Sequence, residues 1–149
     1  MDLRIVIDSR EQLPYSFGCQ TVRKKLEAGD YSVEGFEHLV AVERKSLADF
    51  TQTVIHDFHR FAAELDRLAG YEFTAVVVET DLDAMLRGLK KAELRTVKPA
   101  ALLGSATQIS ARWSVPVLWC GSRAAARAFT ESMLRASVRE LLRRQRSIA

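Results

Sequence analysis

The sequence predicts an α/β protein with a three-layer fold, in which helices flank a mixed central β-sheet. Strand patterns come first, before residue 46, and helix and strand patterns alternate after them. Phe73–Glu79 is apolar along most of its length, which is typical of a strand buried on both faces of a sheet. The 149 residues are enough for one domain with its own hydrophobic core, and we expect a single domain over residues 1–149.

The first strands are predicted from alternation and from turn residues. Leu3–Asp8 alternates and is rich in β-branched residues, which predicts a buried strand that ends in an acid. Thr21–Leu26 is expected to be extended. Tyr31–Val33 and Leu39–Arg44 are expected to form a hairpin, because Gly35 supplies a turn between them.

A long helix is predicted after the hairpin. Ser46 is the expected N-cap, and Asp49 stands where a capping-box partner would be. Apolar residues then recur at steps of three and four up to Gly70, a residue expected at a helix C-terminus. The apolar stripe consists of Phe50, Val54, Phe58, Phe61, Leu65 and Leu68. The pattern therefore predicts one amphipathic helix between Ser46 and Gly70.

Two more helices and a strand are predicted in the second half. Asp81 is expected to cap a helix over roughly residues 82–94. Pro99 suits the first turn of a helix that ends near Trp113. Val115–Cys120 is the last predicted strand, and the proline near its start indicates an edge or a strand end.

The final predicted helix, Arg123–Arg146, is rich in arginine near its end. These arginines are Arg135, Arg139, Arg143, Arg144 and Arg146. Two interpretations remain open: the cations neutralise DNA phosphates, or they form a solvated face favoured by the helix dipole. Its apolar positions either pack on the protein's own sheet or serve dimerisation.

Charge and hydropathy favour a protein with a polyanionic partner and argue against a membrane protein. The net charge of +3 and the pI of about 9.1 are compatible with a polyanionic partner. Apolar runs such as Thr74–Val78 are far shorter than the roughly 20 residues that span a bilayer. No basic-then-apolar leader opens the chain. We therefore expect a cytoplasmic location, no membrane partner, and free thiols at Cys19 and Cys120.

A cluster of charged residues is predicted at the hairpin. Alternation along a strand puts Glu43 and Lys45 on one face and Arg44 on the other. The hairpin can bring Asp30 beside Glu43, and Asp8 joins them if the first strand lies alongside. Carboxylates grouped in this way suit Mg²⁺ or Mn²⁺, which can activate a water and polarise a phosphodiester. The lysine would hold the attacking water or stabilise charge in the transition state.

A longer pattern of three motifs extends this cluster. Asp-x-Arg-Glu occurs at Asp8–Glu11, Gly-Asp at Gly29–Asp30, and Glu-Arg-Lys-x-x-x-Asp at Glu43–Asp49. In this order they resemble the XPF/Hef-type nuclease domain, found in structure-specific endonucleases that cut branched DNA. The resemblance covers roughly residues 3–80 well and the remainder only as a pattern of elements.

The resemblance implies a restriction-endonuclease-like fold of the PD-(D/E)xK superfamily and a metal-dependent DNA endonuclease with Mg²⁺ or Mn²⁺ as cofactor. Its implied substrate is branched DNA, such as flaps, forks or junctions, cut to leave 5′-phosphate and 3′-hydroxyl ends. The implied metal ligands are Asp8, Asp30 and Glu43, and Lys45 is the implied catalytic lysine.

Further roles are implied or expected for other residues. Arg10, Glu11 and Arg44 would support the site or contact phosphate, and Asp49 either supports it or only caps a helix. Glu79 is a possible additional metal ligand, with strand-end solvation as the alternative. The expected DNA-binding residues are Arg60, Arg139 and Arg143.

The resemblance also sets expectations about assembly. Family members commonly carry a tandem helix-hairpin-helix domain and commonly form dimers. No helix-hairpin-helix motif is found in this sequence, whereas a homodimer is an expectation. Two rival functions are a non-catalytic DNA-binding partner subunit and a nuclease of the same superfamily with another substrate, such as a resolvase or a restriction-like enzyme. Retention of all four site residues argues against the partner subunit.

Overall fold

A single six-stranded sheet forms the centre of the protein, described by a computed structural model of residues 1–149. The strands are β1 (Ile5–Asp8), β2 (Thr21–Lys24), β3 (Tyr31–Val33), β4 (Val40–Lys45), β5 (Phe73–Val78) and β6 (Val117–Trp119). Their order is β2-β1-β3-β4-β5-β6. Strand β3 is antiparallel to both of its neighbours and every other pair is parallel, so the sheet is mixed. The predicted edge position of the last strand is confirmed.

Helices cover both faces of the sheet. They are α1 (Leu47–Ile55), α2 (Phe58–Ala69), α3 (Leu82–Leu86), α4 (Lys91–Leu94), α5 (Pro99–Trp113) and α6 (Arg123–Ile148). Helices α1 to α5 contribute side chains to one hydrophobic core, and α6 contributes to a second core on the other face. The predicted three-layer α/β fold is therefore confirmed.

Strand β4 shows how the two cores are separated. Ala41 belongs to the core under α1 and α2, whereas Val40 and Val42 belong to the core under α6. Because side chains alternate along a strand, Glu43 and Lys45 share the face of Ala41. The same alternation puts Arg44 on the α6 face. Strand β4 therefore presents an acid and a lysine on one face of the sheet and an arginine on the other.

The helix predicted between Ser46 and Gly70 is instead two helices, and the single-helix prediction was wrong. The amide groups of His56 and Asp57 both donate to the carbonyl of Gln52, which ends α1. Asp57 leaves the helical region with φ −119° and ψ 30°, and α2 starts after it. The apolar stripe did not reveal the break, because Val54 and Phe61 are seven residues apart and stay in phase across it.

The helix predicted over residues 82–94 is also divided. Asp81 caps its first part as expected, since its side chain accepts a hydrogen bond from the amide of Asp83. Gly88 then adopts φ 76°, a left-handed conformation that interrupts the helix before α4.

Helix α6 packs its apolar face on the protein's own sheet. Leu134 is fully buried and Val138 and Leu141 are nearly so, all within the core that contains Val42 and Val77. This packing accounts for the apolar positions of α6 that sequence reasoning left open. None of the helices combines the length and the apolar character needed to cross a membrane.

Leu134→Ala is expected to destabilise the fold by about 2–5 kcal/mol, because it leaves a cavity where α6 meets the sheet. Urea unfolding monitored by circular dichroism measures the loss. Ile148→Ala is the control, since Ile148 is 87% exposed at the end of the same helix. Equal stability of the two variants would mean that α6 does not form the third layer.

Candidate active site

The pairing of β1, β3 and β4 brings the main chains of three segments together, and each segment carries one of the expected acids. The amide of Asp8, at the end of β1, donates to the carbonyl of Asp30 at 2.8 Å. The amide of Asp30 donates in turn to the carbonyl of Val42 at 2.9 Å. The carboxylate of Asp30 accepts from the amide of Arg44 at 2.8 Å, which fixes it beside Glu43. The structure thus places the Asp30 carboxyl beside Glu43, whereas Asp8 meets Asp30 through a main-chain bond.

Gly29 makes this arrangement possible. It adopts φ 77°, where residues other than glycine are disfavoured. A Cβ at this position would also lie 3.0 Å from the Cβ of Ala41 and 3.2 Å from the carbonyl oxygen of Val42. Close approach to β4 and the turn into Asp30 therefore both require glycine, which gives the Gly-Asp motif a physical reason.

Asp30 and Glu43 form a coupled pair of carboxyl groups. Burial raises the pKa of Asp30 to about 6, against the ordinary value of 3.8. Burial also raises the pKa of Glu43, and the nearby charge of Asp30 raises it further. Two carboxylates in one poorly solvated place repel each other, so a proton or a cation between them is favoured.

Lys45 lies against this pair in a fixed position. Its Nζ atom is 3.7 Å from Oε1 of Glu43 and donates to Oγ1 of Thr53 at 3.2 Å. The same ammonium lies 5.3 Å from the centroid of the Phe61 ring. Contacts to β4, α1 and α2 therefore hold the lysine next to the acids, as the strand pattern predicted.

A surface cavity of about 360 Å³ opens at Glu43 and Lys45. It is lined by Glu43, Lys45, Thr53, Asp57, Arg60, Phe61, Glu64 and Arg67. Arg60, expected from the sequence to bind DNA, thus lies in the same cavity as the acids. Arg67 adds a second arginine there. The mixture of acids and cations can accommodate both a divalent cation and a phosphate.

Glu64 is a residue of this site that sequence reasoning missed. Its Oε1 accepts the amide hydrogen of Gly29 at 2.7 Å, and its charge contributes to the raised pKa of Glu43. Arg67 holds its other oxygen at 2.5 Å. Glu64 directly precedes Leu65 of the apolar stripe, so its place on the flank of that stripe was the available signal.

Asp8 is engaged by protein groups on both oxygens. Arg10 donates from Nε to Oδ2 at 2.9 Å, and the amide of Leu26 donates to Oδ1 at 2.8 Å. Burial favours a higher pKa for this carboxyl, but the bonds from Arg10 and Leu26 outweigh it and the pKa lies below its ordinary value. Asp8 is therefore an ionised carboxylate whose negative charge is balanced by Arg10, unlike Asp30 and Glu43.

The donor set can be tested against a divalent cation. No group of three or more acidic, histidine or cysteine side chains clusters closely enough to hold a metal alone. Mg²⁺ commonly needs only one or two carboxylates, with waters and substrate phosphates completing its coordination. The pair of Asp30 and Glu43 supplies two carboxyl groups, and a positive charge beside them would offset both their burial and the charge repulsion that Asp30 exerts on Glu43.

Arg44 lies on the opposite face of β4 in a partly buried ion pair. It donates to both oxygens of Glu79, at 3.0 and 3.1 Å. Tyr15 donates to Oε2 of Glu79 at 2.5 Å, and Arg123 of α6 lies 3.5 Å from the same oxygen. Glu79 therefore faces away from Glu43, and its carboxylate is occupied by protein groups.

Glu11 belongs to the same network. Its Oε2 lies 3.8 Å from Nη1 of Arg44 and accepts from the hydroxyl of Tyr31 at 3.2 Å. The ring of Tyr31 stacks on that of Tyr15, with centroids 5.1 Å apart. The side chains of Arg44 and Glu11 thus support from behind the strand that carries Glu43. The main-chain amide of Arg44 binds Asp30, and the charge of Glu11 adds to the raised pKa of Asp30.

Three other expected residues lie away from the cluster. Asp49 donates its amide to Oγ of Ser46 at 3.1 Å, which confirms the helix cap, and its side chain lines a different cavity. Arg139 and Arg143 are on α6, across the sheet from Lys45. Arg143 makes two hydrogen bonds to Glu140, at 2.7 and 2.8 Å.

Comparison with known proteins identifies what the chain resembles. A family model described as the ERCC4 domain matches residues 7–133. The solved structure of XPF from Aeropyrum pernix is 23% identical, with a TM-score of 0.69 over 96% of this chain and 69% of that chain. XPF from Aeropyrum pernix in complex with DNA gives 23% identity and a TM-score of 0.66, over 93% and 66% of the two chains. At this identity the likeness shows the fold alone. A search of curated proteins gives no significant match.

Arg44→Met is expected to destabilise the fold by about 1–3 kcal/mol, because it removes the bidentate partner of partly buried Glu79, which keeps its contacts to Tyr15 and Arg123. Arg44→Met/Glu79→Leu should recover part of that loss, since it leaves no unpaired buried charge. Urea unfolding of wild type, both single variants and the double variant measures the coupling. Additive losses would show that the ion pair is not a bracing contact.

Asp30→Asn is expected to stabilise the metal-free protein at pH 8 by up to about 3 kcal/mol. The folded-state pKa of Asp30, about 6, lies above the ordinary 3.8, so its contribution to stability is complete below pH 4 and lost as the pH rises through 6. Asparagine does not ionise, and its side-chain oxygen can still accept the Arg44 amide.

Thermal unfolding in EDTA at pH 4 and pH 8 measures this effect, with exposed Asp2→Asn as the charge-matched control. A gain at pH 8 that disappears at pH 4 is expected for Asp30→Asn alone. The same gain at both pH values, or destabilisation at pH 8, would contradict the raised pKa.

Proposed function

The chain belongs to the ERCC4 domain family, and from this premise and the geometry of its site we propose that it is a metal-dependent endonuclease acting on branched DNA. The observation that carries the proposal is that Glu43 and Lys45 line one cavity and that Asp30 lies beside Glu43. Two carboxylates that repel each other beside a fixed ammonium make a site for a phosphodiester and a divalent cation.

The scissile phosphate would enter the cavity from the side of Arg60 and Arg67. Both guanidinium groups line it. Arg60 forms no ion pair within the chain and can neutralise a phosphate oxygen, whereas Arg67 would share its charge with Glu64. Lys45 is positioned to donate a hydrogen bond to the attacking water or to a phosphate oxygen on which negative charge develops. Its contacts to Thr53 and Phe61 fix it before substrate binds, so little reorganisation accompanies the reaction.

Asp30 and Glu43 would hold Mg²⁺ or Mn²⁺. When bound, the cation would activate a water and polarise the phosphodiester. Glu64 lies close enough to influence the pKa of Glu43 and can support the cation through its charge. Asp8 is proposed as a third ligand, for which Arg10 would have to release an oxygen that it now binds.

Family membership and the residues of the site support DNA as the substrate. The match to a solved structure of XPF from Aeropyrum pernix in complex with DNA supports the same partner. The preference for flaps, forks or junctions, the 5′-phosphate product and a homodimer rest on the resemblance in the motifs. No surface of the chain is assigned to a dimer, because the apolar face of α6 is covered by the sheet.

Cleavage of end-labelled DNA in Mg²⁺ or Mn²⁺ tests the proposal. Duplex, single strand, fork, 3′-flap and four-way junction are compared, and branched substrates should be cut most efficiently. Asp30→Asn and Glu43→Gln should each lower the rate at least about a hundredfold, since each removes a ligand whose cation contributes several kcal/mol. Asp2→Asn makes the same chemical change away from the site and should cut like wild type.

The possible results separate the rival functions. Cleavage at one sequence in every duplex would favour a restriction-like enzyme. Binding of DNA without cutting of any substrate would favour a non-catalytic partner subunit. Retained activity in both acid variants would contradict the assignment of the site.

A further inference from the structure

Residues Arg87–Lys98, which include α4, form a basic segment on the surface. Its cations are Arg87, Lys90, Lys91, Arg95 and Lys98. Only Arg87 forms an ion pair, with Asp83 at 3.1 Å, and its side chain is still 65% exposed. Lys91, Arg95 and Lys98 are exposed and make no ion pair. The segment contains one acid, Glu93, which forms no ion pair, so its five cations leave a net positive charge on the surface.

Arg95 is held in a strained backbone conformation within this segment. Its φ of 56° and ψ of −110° resemble the first central residue of a type II′ turn, where glycine is preferred. Its amide closes α4 by donating to the carbonyl of Lys91 at 2.9 Å, a bond that glycine would make equally well. The arginine side chain makes no hydrogen bond within the chain. A strained residue whose side chain does not stabilise the fold points to a role outside it.

The basic segment lies beside the site, with α1 between them. Thr53, on one flank of α1, binds Lys45. Gln52 and His56, on another flank, line a cavity of about 460 Å³ together with Arg95 and with the acids Asp49 and Glu93. Leu94 anchors the segment, because it is nearly fully buried in the core under α1. The separation is therefore roughly one helix diameter, about 10 Å.

DNA bound at Lys45 would present further phosphates to this segment. Duplex DNA carries one negative charge about every 1.7 Å along its axis, so several phosphates lie within the span of α1. Backbone contacts of this kind position a duplex and do not depend on its sequence. A structure-dependent nuclease needs such contacts, because it must hold DNA without recognising bases.

We infer that the basic segment, with Arg95 at its centre, is a second DNA-contact surface that binds the phosphate backbone of the substrate across α1 from the cavity. The inference rests on the proposed function in taking DNA as the ligand. It adds a surface that the site motifs do not include.

The test measures binding in EDTA, where DNA is not cut, over a range of NaCl concentrations. Arg95→Gly should reduce the slope of log K against log salt by about 0.9 and weaken binding about eightfold at 0.1 M salt. Its melting temperature should rise by about 2–4 °C, because the strain is relieved. Arg95→Lys keeps charge and strain and should bind like wild type. Lys91→Ala/Lys98→Ala should reduce the slope by about 1.8.

Arg4→Ala is the charge-matched control, since Arg4 precedes β1 at the end opposite Asp8 and is paired with Glu34. An equal loss of binding in Arg4→Ala would show a general charge effect and overturn the inference. Wild-type affinity and slope in both the Arg95→Gly and the Lys91→Ala/Lys98→Ala variants would also overturn it, and would leave a protein partner for this surface.

The cleavage assay run in parallel keeps the two proposals apart. Wild-type cutting combined with unchanged salt slopes would refute only the second surface. Reduced salt slopes in the Arg95→Gly and Lys91→Ala/Lys98→Ala variants of a protein that cuts no substrate would support the second DNA-contact surface and refute the proposed nuclease activity.

Discussion

The position of Asp30 is the constraint on which the rest of the site depends. Its carbonyl accepts from β1, its amide donates to β4, and its carboxylate accepts from the amide of Arg44. One residue thus joins three strands through main-chain bonds and still presents a carboxyl group to Glu43. Because the register of these strands is fixed by hydrogen bonds, the spacing of the acids does not depend on flexible side chains.

The period-two alternation of β4 divides its charged residues between two tasks. Glu43 and Lys45 face the cavity, where unfavourable solvation and repulsion raise the pKa of a carboxyl group. Arg44 faces α6, where Glu79 satisfies it with two hydrogen bonds. The ion pair of Arg44 on one face of the strand supports the position of Glu43, whose carboxyl group is buried beside Asp30 on the other face. Instability stored at the site is thus offset by contacts elsewhere in the fold.

Sequence reasoning identified the fold class and most of the site, because both follow from short-range rules. Alternation put Glu43 and Lys45 on one face, and the hairpin brought Asp30 to them. The family resemblance inferred from the motifs is confirmed by the ERCC4 domain match. Two long helices were wrongly predicted as continuous. The first is broken at Asp57, where the apolar stripe keeps its helical phase and so gives no sign of the break. The second, predicted over residues 82–94, is interrupted at Gly88, which adopts a left-handed conformation.

The sequence by itself determined the order of the strands along the chain, the shared face of Glu43 and Lys45, and the Gly-Asp motif that precedes the third strand. Only the tertiary structure decided that Glu64 joins the site, that Arg10 already occupies Asp8, and that Arg44 points away from the cavity towards Glu79. These contacts join residues from separate elements. Which partner a side chain meets across the fold depends on how helices pack on the sheet, and no local period encodes that packing.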